Sequence, residues 1–291
     1  MSKDGYDHNI CVNSNCKFIF VTPTPNNLRE VYKNDLGISL DGFGSPFVRK
    51  KIELTKNVRF ALSLIDLFKI RSVLDVGSRN GNFLLAMSNI GKVNLAIGIE
   101  PNTQAWQYCK RLGLDVRHGF FSKEIVDLKK FDLINMADVI EHVSDPRQML
   151  REANELLNQN GFLLIRTPNL SSLWSKITLV ISSALKLPWS SLTPPEHISN
   201  FSRANLVKFL ESESFEIQSV YFEPPNLFYE LGQLHLFKRL KIDKNISSFT
   251  KFIVGFSMYT LIFAFLKLVQ PILRENFSQT FLVKKVSHST H

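Results

Sequence analysis

A carboxylate at the end of an apolar run, followed by two glycines, is the first group in this sequence that suits a ligand. Asp75 lies in the run 73–76, and Gly77 and Gly81 follow it. Glycine permits a tight turn and close approach of a ligand to the backbone. A helix predicted from about Asn82 adds unpaired N–H groups and a positive dipole end. This turn suits a nucleotide-like ligand that carries a carboxylate or a phosphate.

The position of Asp75 distinguishes two classes of ligand. A dinucleotide-binding fingerprint has the spacing Gly-x-Gly-x-x-Gly after an apolar strand, whereas this sequence has Asp-x-Gly-x-x-x-Gly. A carboxylate repels a pyrophosphate and attracts an ammonium group, so the pattern favours a ligand with an amino-acid end. The alternative interpretation is that Asp75 only caps the turn.

A second carboxylate, Glu100, ends the next apolar run of the sequence. It lies roughly 20 residues beyond the glycine turn, where an acid binds ribose hydroxyls in such folds. A carboxylate offers two acceptors side by side, which matches a vicinal diol. Glu100 therefore predicts a nucleoside, but it does not decide which one.

Both acids reach one edge of a sheet only if strands and helices alternate. Short apolar runs and periodic helical runs do alternate between residues 50 and 222, which is typical of a parallel sheet with helices on both faces. The carboxyl ends of the strands then border one crevice. The residues expected at the ends of two later strands are Phe120, Ala137 and Asp138.

Taken in order, these motifs resemble class I S-adenosylmethionine-dependent methyltransferases of the ubiquinone-type and sugar methyltransferase group. Asp75, Gly77 and Gly81 match the acidic glycine loop of that family, and Arg79 replaces its usual middle glycine. Arginine is tolerated there at a negative φ and strained at a positive φ. The runs 131–157, 161–169 and 196–203 resemble the family segments FDLI…EHV.DP…L.E, LLI.TPN and EHI.FFS.

The resemblance implies a Rossmann-like sheet of seven strands, mostly parallel with an antiparallel last strand, and S-adenosyl-L-methionine as the cofactor. The expected cofactor-binding residues are Asp75, Gly77, Ser78, Gly81, Glu100, Phe120, Ala137 and Asp138. Phe120 would face the adenine, and Ala137 and Asp138 would face the methionine end or the acceptor. No metal site is expected.

Two histidines are the candidates for catalysis. His197 is the candidate acid or base, because an imidazole with a pKa near ~6.5 accepts a proton at neutral pH. His142 would order the start of a helix or orient the acceptor. For His197, as for Phe120, a purely structural role in the interior is an equally good interpretation.

The predicted methyltransferase core covers residues 49–223. Its apolar insertion 170–195 either covers the active site or packs as a helix, and residues 277–291 supply the closing strand and a tail. Residues 1–48 are expected to form a polar arm. Cys16 and the apolar run after it resemble the end of a zinc-knuckle segment, but a structural zinc site needs four ligands, so we expect a remnant without metal.

Residues 224–276 form a second insertion, which is apolar and basic. The run 252–266 carries no charge and is shorter than the ~20 residues of a spanning helix. We therefore expect a helix that lies in the membrane interface or packs as a hydrophobic cap. The basic residues of 236–276 would then face anionic headgroups.

The charge and the cysteine content of the sequence limit the classes of partner that the protein is expected to have. The net charge is +9, but no Lys/Arg block accompanies a nucleic-acid motif, so an RNA methyltransferase is disfavoured. Three cysteines make no disulfide framework and the N-terminus is polar, so we expect a cytoplasmic protein at or near the inner face of the membrane. The expected acceptor is small or lipid-linked, such as a quinone precursor or a saccharide. The alternatives are a catalytically inactive binding module and, less favoured, a nicotinamide-dependent oxidoreductase.

Overall fold

The computed structural model describes residues 2–3, 6–11, 18–22, 51–185, 189, 197–224 and 276–286, together with individual helical positions between 253 and 268. The strands are β1 (Ser2–Lys3), β2 (Tyr6–Ile10), β3 (Ile19–Thr22), β4 (Ser72–Val76), β5 (Leu95–Glu100), β6 (Val116–His118), β7 (Phe131–Ala137), β8 (Leu157–Pro168), β9 (Ser199–Asn200), β10 (Phe215–Glu223) and β11 (Ser278–Lys285). The helices are α1 (Lys56–Phe68), α2 (Asn82–Asn89), α3 (Thr103–Arg111), α4 (Pro146–Leu156), α5 (Leu173–Leu185) and α6 (Arg203–Ser212). The chain divides into two compact units: Met1–Thr24, Thr167–Leu206 and Tyr221–Gln279 form the first, and Pro25–Arg166, Val207–Val220 and Thr280–His291 form the second.

The second unit is built on a seven-stranded sheet with the order β10-β11-β8-β7-β4-β5-β6. β4 pairs in parallel with β5 and β7, and β6 and β8 continue the parallel sheet on either side. The sheet is mostly parallel with antiparallel strands at one end, and helices surround it. The predicted fold class is confirmed.

Local sequence explains why the first helix and strand of this unit form where they do. Thr55 caps α1, because its hydroxyl accepts a hydrogen bond from the Val58 N–H at 3.3 Å, as an N-cap residue should. Apolar residues of α1 at three- and four-residue spacing, such as Ala61 and Ile65, pack onto Val73 of β4 and Leu133 of β7. The helix begins at Lys56, because its cap is Thr55.

Asn160 and Gly161 lie within the range of β8. Phe131 of β7 pairs with Leu157, and the next pair joins Leu133 to Phe162, so four residues of β8 bulge out between the two pairs. Asn160 has a φ of +72° there, which suits the Asn-Gly sequence. The boundary between helix and strand therefore lies at Leu157, and the Asn-Gly turn is a bulge in the strand.

The first unit contains a four-stranded antiparallel sheet with the order β1-β2-β3-β9. Ile19 and Phe20 of β3 pair with Asn200 and Ser199 of β9, so the N-terminal segment pairs with a strand far along the chain. Cys11 is a half-buried free thiol. The zinc-knuckle interpretation of Cys16 and of residues 23–48 lies outside the described residues.

The insertion after β8 contains α5, and both of its tryptophans are buried. The indole N–H of Trp189 donates to the Thr178 hydroxyl at 3.1 Å, and Trp174 makes an edge-to-face contact with Phe263 at 6.3 Å. These contacts match the interpretation of this insertion as a packed helix. Within the described part of the chain, no helix has the length and apolar character needed to cross a membrane.

Candidate cofactor site

Asp75 lies near the carboxyl end of β4, and its side chain is almost completely buried. Across the sheet it is in register with Asn135 of β7 and Gly98 of β5. The side-chain amide of Asn135 donates to Oδ1 of Asp75 at 2.7 Å. Burial raises the pKa of Asp75 from 3.8 to about 7, while the hydrogen bonds of Asn135 and Ser78 oppose the rise and the charge of Glu100 adds to it. A buried carboxyl of this kind suits a cationic ligand group.

Gly77 and Ser78 form the turn after β4 and are bound to the neighbouring strand. Their N–H groups donate to the Ile99 carbonyl of β5 at 2.9 and 3.0 Å, and the Ser78 hydroxyl donates to the Asp75 carbonyl at 2.9 Å. Gly77 is exposed, has a φ of +73°, and a Cβ on it would lie 3.0 Å from the Val139 side chain. The absent side chain at Gly77 leaves the backbone open to a ligand.

Gly81 ends the loop and begins α2, with a φ of +70°. A Cβ there would clash with Leu114 and lie 3.1 Å from the Cys109 sulfur. Gly81 therefore serves two requirements, a left-handed backbone and close packing of α2 against the segment around α3. The first helical N–H groups of α2 point toward the loop that Asp75 precedes.

Arg79, which replaces the middle glycine of the family pattern, has a φ of +47°. This left-handed conformation is unfavourable for a residue with a long side chain. Two contacts hold the peptide in place: its N–H donates to Oε2 of Glu100 at 2.7 Å, and its carbonyl accepts from the Cys109 thiol at 3.2 Å. The Arg79 side chain is exposed.

Glu100, the last residue of β5, is buried and holds two backbone segments. Oε2 accepts from the Arg79 N–H, and Oε1 accepts from the Asn102 N–H at 2.8 Å. Burial raises the pKa of Glu100, and the hydrogen bonds from Asn102 and Arg79 oppose that rise. Each carboxylate oxygen has a second lone pair, so the side chain retains the capacity to accept from a ribose diol.

Phe120 follows β6, Ala137 is the last residue of β7, and Asp138 comes directly after it. The turn that carries Phe120 is bound to β5, because the Gly119 N–H donates to the Glu100 carbonyl at 3.1 Å. Asp138 has a φ of +56°; its N–H donates to the Arg166 carbonyl at 2.9 Å, and its carboxylate lies 3.2 Å from the Arg166 guanidinium. The sheet thus brings the strand-end residues of β4, β5, β6 and β7 to the same edge.

The two candidate catalytic histidines lie in different units. His142 ends a short 3-10 helix, Ile140–His142, in the unit of the seven-stranded sheet, and it is half-buried. His197 is buried in the other unit, beside β9. Their catalytic roles stay predictions.

Two site residues were missed in the sequence, Asn135 of β7 and Asn57 of α1. Both are buried, and they connect to Asp75 through side-chain amides. The available signal was Asn135 itself, a single amide among the apolar residues at the centre of a buried strand, since such a group requires a partner.

The fold and the acidic glycine loop are those of transferases that use a nucleoside cofactor. Residues 48–220 match the family model of the methyltransferase domain, so the chain belongs to the methyltransferase domain family. It is an S-adenosylmethionine-dependent methyltransferase, as predicted. The residues present fit this cofactor, because a buried carboxyl such as Asp75 suits an ammonium group and Gly77 leaves the adjacent backbone accessible.

Relatives of this chain are distant. Over 179 residues it is 27% identical to ubiquinone biosynthesis O-methyltransferase of Pelagibacter ubique, a match that spans 53% of this chain and 73% of the relative. Over 148 residues it is 24% identical to a probable S-adenosylmethionine-dependent methyltransferase of Mycolicibacterium smegmatis, spanning 51% and 53%. A cyclopropane synthase of Mycobacterium tuberculosis has the same fold, with a TM-score of 0.52, 15% identity and coverage of 91% of this chain and 100% of that chain.

Proposed function

We propose that the protein methylates a small, amphipathic acceptor, and that Asp75 binds the amino-acid end of the cofactor while Glu100 binds its ribose. The observation that carries this proposal is the pair of buried carboxyls at the ends of adjacent strands, β4 and β5. Among the described residues, the groups that shift the pKa of Asp75 are Asn135, Ser78 and Glu100, and none of them is a cation. An ammonium group would supply the missing positive charge.

When bound, S-adenosylmethionine supplies an electrophilic methyl group, whose carbon–sulfur bond breaks as the acceptor atom bonds to the carbon. The residues of the chain align the two reactants and exclude water. If the acceptor is a hydroxyl, its proton passes to a base, and His197 and His142 are the candidates for that role. Phe120, Ala137 and Asp138 border the crevice in which the nucleoside and the acceptor meet.

The acceptor class is argued from relatives and from exposed apolar side chains. Several relatives are named ubiquinone biosynthesis O-methyltransferase, which supports a hydroxyl on an amphipathic ring, such as a quinone precursor; a saccharide remains the alternative. In the first unit, Val180, Leu261 and Leu268 are 68%, 69% and 79% exposed. Apolar surface of this kind suits a substrate that carries a hydrocarbon chain.

The test of the proposed function is calorimetry with S-adenosylhomocysteine at pH 8. We expect a dissociation constant well below millimolar for the natural protein and at least tenfold weaker binding for Asp75→Ala, because a charged contact is worth ~1.5–3 kcal/mol. Failure of folded protein to bind at millimolar ligand contradicts the proposal. Transfer of labelled methyl to dihydroxylated aromatic rings with and without a prenyl chain then identifies the acceptor class.

We also propose contact with an anionic membrane surface through the helical positions 253–268. The exposed positions are Ile253, Ser257, Leu261, Ala264, Phe265 and Leu268. They recur at intervals of three and four, so they share one helical face, and that face is mostly apolar. The basic residues that would contact headgroups, Lys238, Arg239, Lys241, Lys244 and Lys251, lie outside the described residues. An apolar face beside basic residues is typical of interfacial helices.

Sedimentation with vesicles tests this contact. We expect the protein to bind vesicles that contain phosphatidylglycerol and to remain in solution with phosphatidylcholine alone, since the basic residues attract anionic lipid. Leu261→Glu should abolish binding. Leu67→Glu in α1 is the matched control, because Leu67 is 70% exposed and lies in the other unit. Equal binding by both variants would contradict the proposal.

A further inference from the structure

Three buried side chains from separate elements form a hydrogen-bonded line that ends at Asp75. Asn57, in the first turn of α1, donates from Nδ2 to Oδ1 of Asn135 at 3.1 Å. Asn135 donates from its own Nδ2 to Oδ1 of Asp75 at 2.7 Å. The three side chains are 6%, 3% and 2% exposed. A buried polar line of this kind has to be satisfied at every member.

The order of donors and acceptors along the line fixes the direction of the Asn135 amide. An ionised carboxylate only accepts hydrogen bonds, so the NH2 end of Asn135 must face Asp75. The carbonyl end of Asn135 must then receive a donor from the other side, and Asn57 provides it. With the amide reversed, the Asn135 oxygen would face the Asp75 oxygen, and the two would repel each other.

The first turn of α1 is held in position by contacts with the start of α2. The Glu53 N–H donates to Oδ1 of Asn82 at 2.8 Å, and the Asn82 amide donates back to the Glu53 carbonyl at 2.9 Å. Thr55 caps the helix immediately afterwards. These contacts connect the segment that delivers Asn57 to the same helix that begins at the end of the glycine loop.

We propose that Asn57 and Asn135 are positioning residues, which favour the ionised form of Asp75, orient it toward the ammonium end of S-adenosylmethionine and thereby set the pH at which the cofactor binds. This inference rests on the proposed role of Asp75. Asn135 acts on the carboxylate directly, and Asn57 acts by holding Asn135.

The pH dependence has a definite sign. Only the ionised carboxylate attracts an ammonium group, so affinity rises as the pH passes upward through the pKa of Asp75. Burial raises that pKa, the donations of Asn135 and Ser78 lower it, and the charge of Glu100 on β5 adds to the rise, with a net value of about 7. In the described part of the chain, Glu100 is the charged side chain that acts on Asp75. Loss of the Asn135 donor therefore moves the binding curve to higher pH.

Calorimetric titration of S-adenosylhomocysteine from pH 6.0 to 8.5 measures this curve. For Asn135→Leu we expect affinity about tenfold below that of the natural protein at pH 6.5, since a hydrogen bond to a charged group is worth about that factor or more, and recovery toward the natural value at pH 8.5. Asn57→Leu should shift the curve in the same direction by a smaller amount. Asn57→Leu still tests the positioning role if Asn135→Leu does not fold. Circular dichroism checks that each variant is folded.

Two controls separate positioning from general damage. Asn158→Leu removes an amide that donates to Asp132 at 2.7 Å. This similar pair lies near the amino ends of β7 and β8, away from Asp75, so the substitution should leave the binding curve unchanged. Methylthioadenosine carries the ribose and adenine without an ammonium group, so its affinity should not follow the curve in any variant.

The outcomes distinguish this inference from the proposed function. A fall in affinity that is equal at every pH, or a curve that does not move in either Asn57→Leu or Asn135→Leu, overturns the positioning role. Absence of binding by the natural protein at every pH overturns the proposed function and the inference together. A curve displaced to higher pH by both substitutions, but not by Asn158→Leu, supports the inference.

Discussion

The backbone N–H of Arg79 donates to Oε2 of Glu100 at 2.7 Å, so the acid that ends β5 also holds the loop that follows β4. Oε1 of the same carboxylate holds the Asn102 N–H, at the cap of α3. One side chain thus fixes the two backbone segments on either side of the proposed ribose position.

Replacing Glu100 by glutamine should weaken both the loop and the site. The amide has only one oxygen, so one of the two N–H donors loses its acceptor, at a cost of about 2 kcal/mol for a hydrogen bond to a charged group. We expect a lower melting temperature and at least tenfold weaker binding of S-adenosylhomocysteine in calorimetry. Binding equal to that of the natural protein would show that Glu100 serves only the backbone.

Gly81→Ala should destabilise the protein more than Gly113→Ala. Both glycines have a positive φ, +70° and +76°, but only Gly81 is crowded by Leu114 and Cys109, whereas nothing lies within 4 Å of a Cβ on Gly113. Strain from the left-handed backbone costs about 1–2 kcal/mol at either position, and overpacking adds about 1–3 kcal/mol at Gly81. Urea unfolding of the two variants measures the difference. An equal loss of unfolding free energy in the two variants would mean that the side chains around Gly81 move aside at no energetic cost.

Asp75→Asn should stabilise the unliganded protein at neutral and higher pH. The folded pKa of about 7 lies above the unfolded value of 3.8, so between these values the folded state holds a proton that the unfolded state has lost. The stability contribution of Asp75 is therefore fully present below pH 3.8, falls as the pH rises, and is lost above pH 7, by up to about 4 kcal/mol in all.

Measurements of unfolding at pH 5 and pH 8 check this prediction. Relative to the natural protein, Asp75→Asn should gain stability from the lower to the higher pH, while its binding of S-adenosylhomocysteine is reduced. An unchanged difference between the two proteins at both pH values would show that Asp75 is ionised throughout this range.

Glu213→Ala should destabilise the second unit by about 2 kcal/mol. The buried Glu213 carboxylate pairs with the Arg147 and Arg151 guanidinium groups of α4, the latter at 2.9 Å. Loss of a buried partner is costly, but both arginines are partly exposed and regain water, which moderates the loss. Glu155→Ala is the control, since its ion pair with Lys123 is exposed and should matter little. Equal melting temperatures for the two variants would contradict this prediction.

The local sequence pattern was enough to predict those parts of the site that lie on one strand and the turn after it. Asp75 and Glu100 each follow a run of apolar residues, and Gly77 and Gly81 have the positive φ that only a turn requires.

Contacts between distant segments were beyond that pattern. The hydrogen bond from Asn57 to Asn135 joins residues 78 positions apart. The sequence around either residue does not indicate that the other is its partner. The N-terminal residues, which were predicted to form an arm, pair with β9 near residue 200. This pairing was missed for the same reason.

The position of β11 between β8 and β10 has a consequence for synthesis on the ribosome. Until residues 278–285 emerge, β10 has no strand neighbour and β8 has one unoccupied side. Open strand edges readily pair with other chains. A nascent chain that has reached residue 276 therefore carries two such edges, and translation of the next nine residues covers both at once.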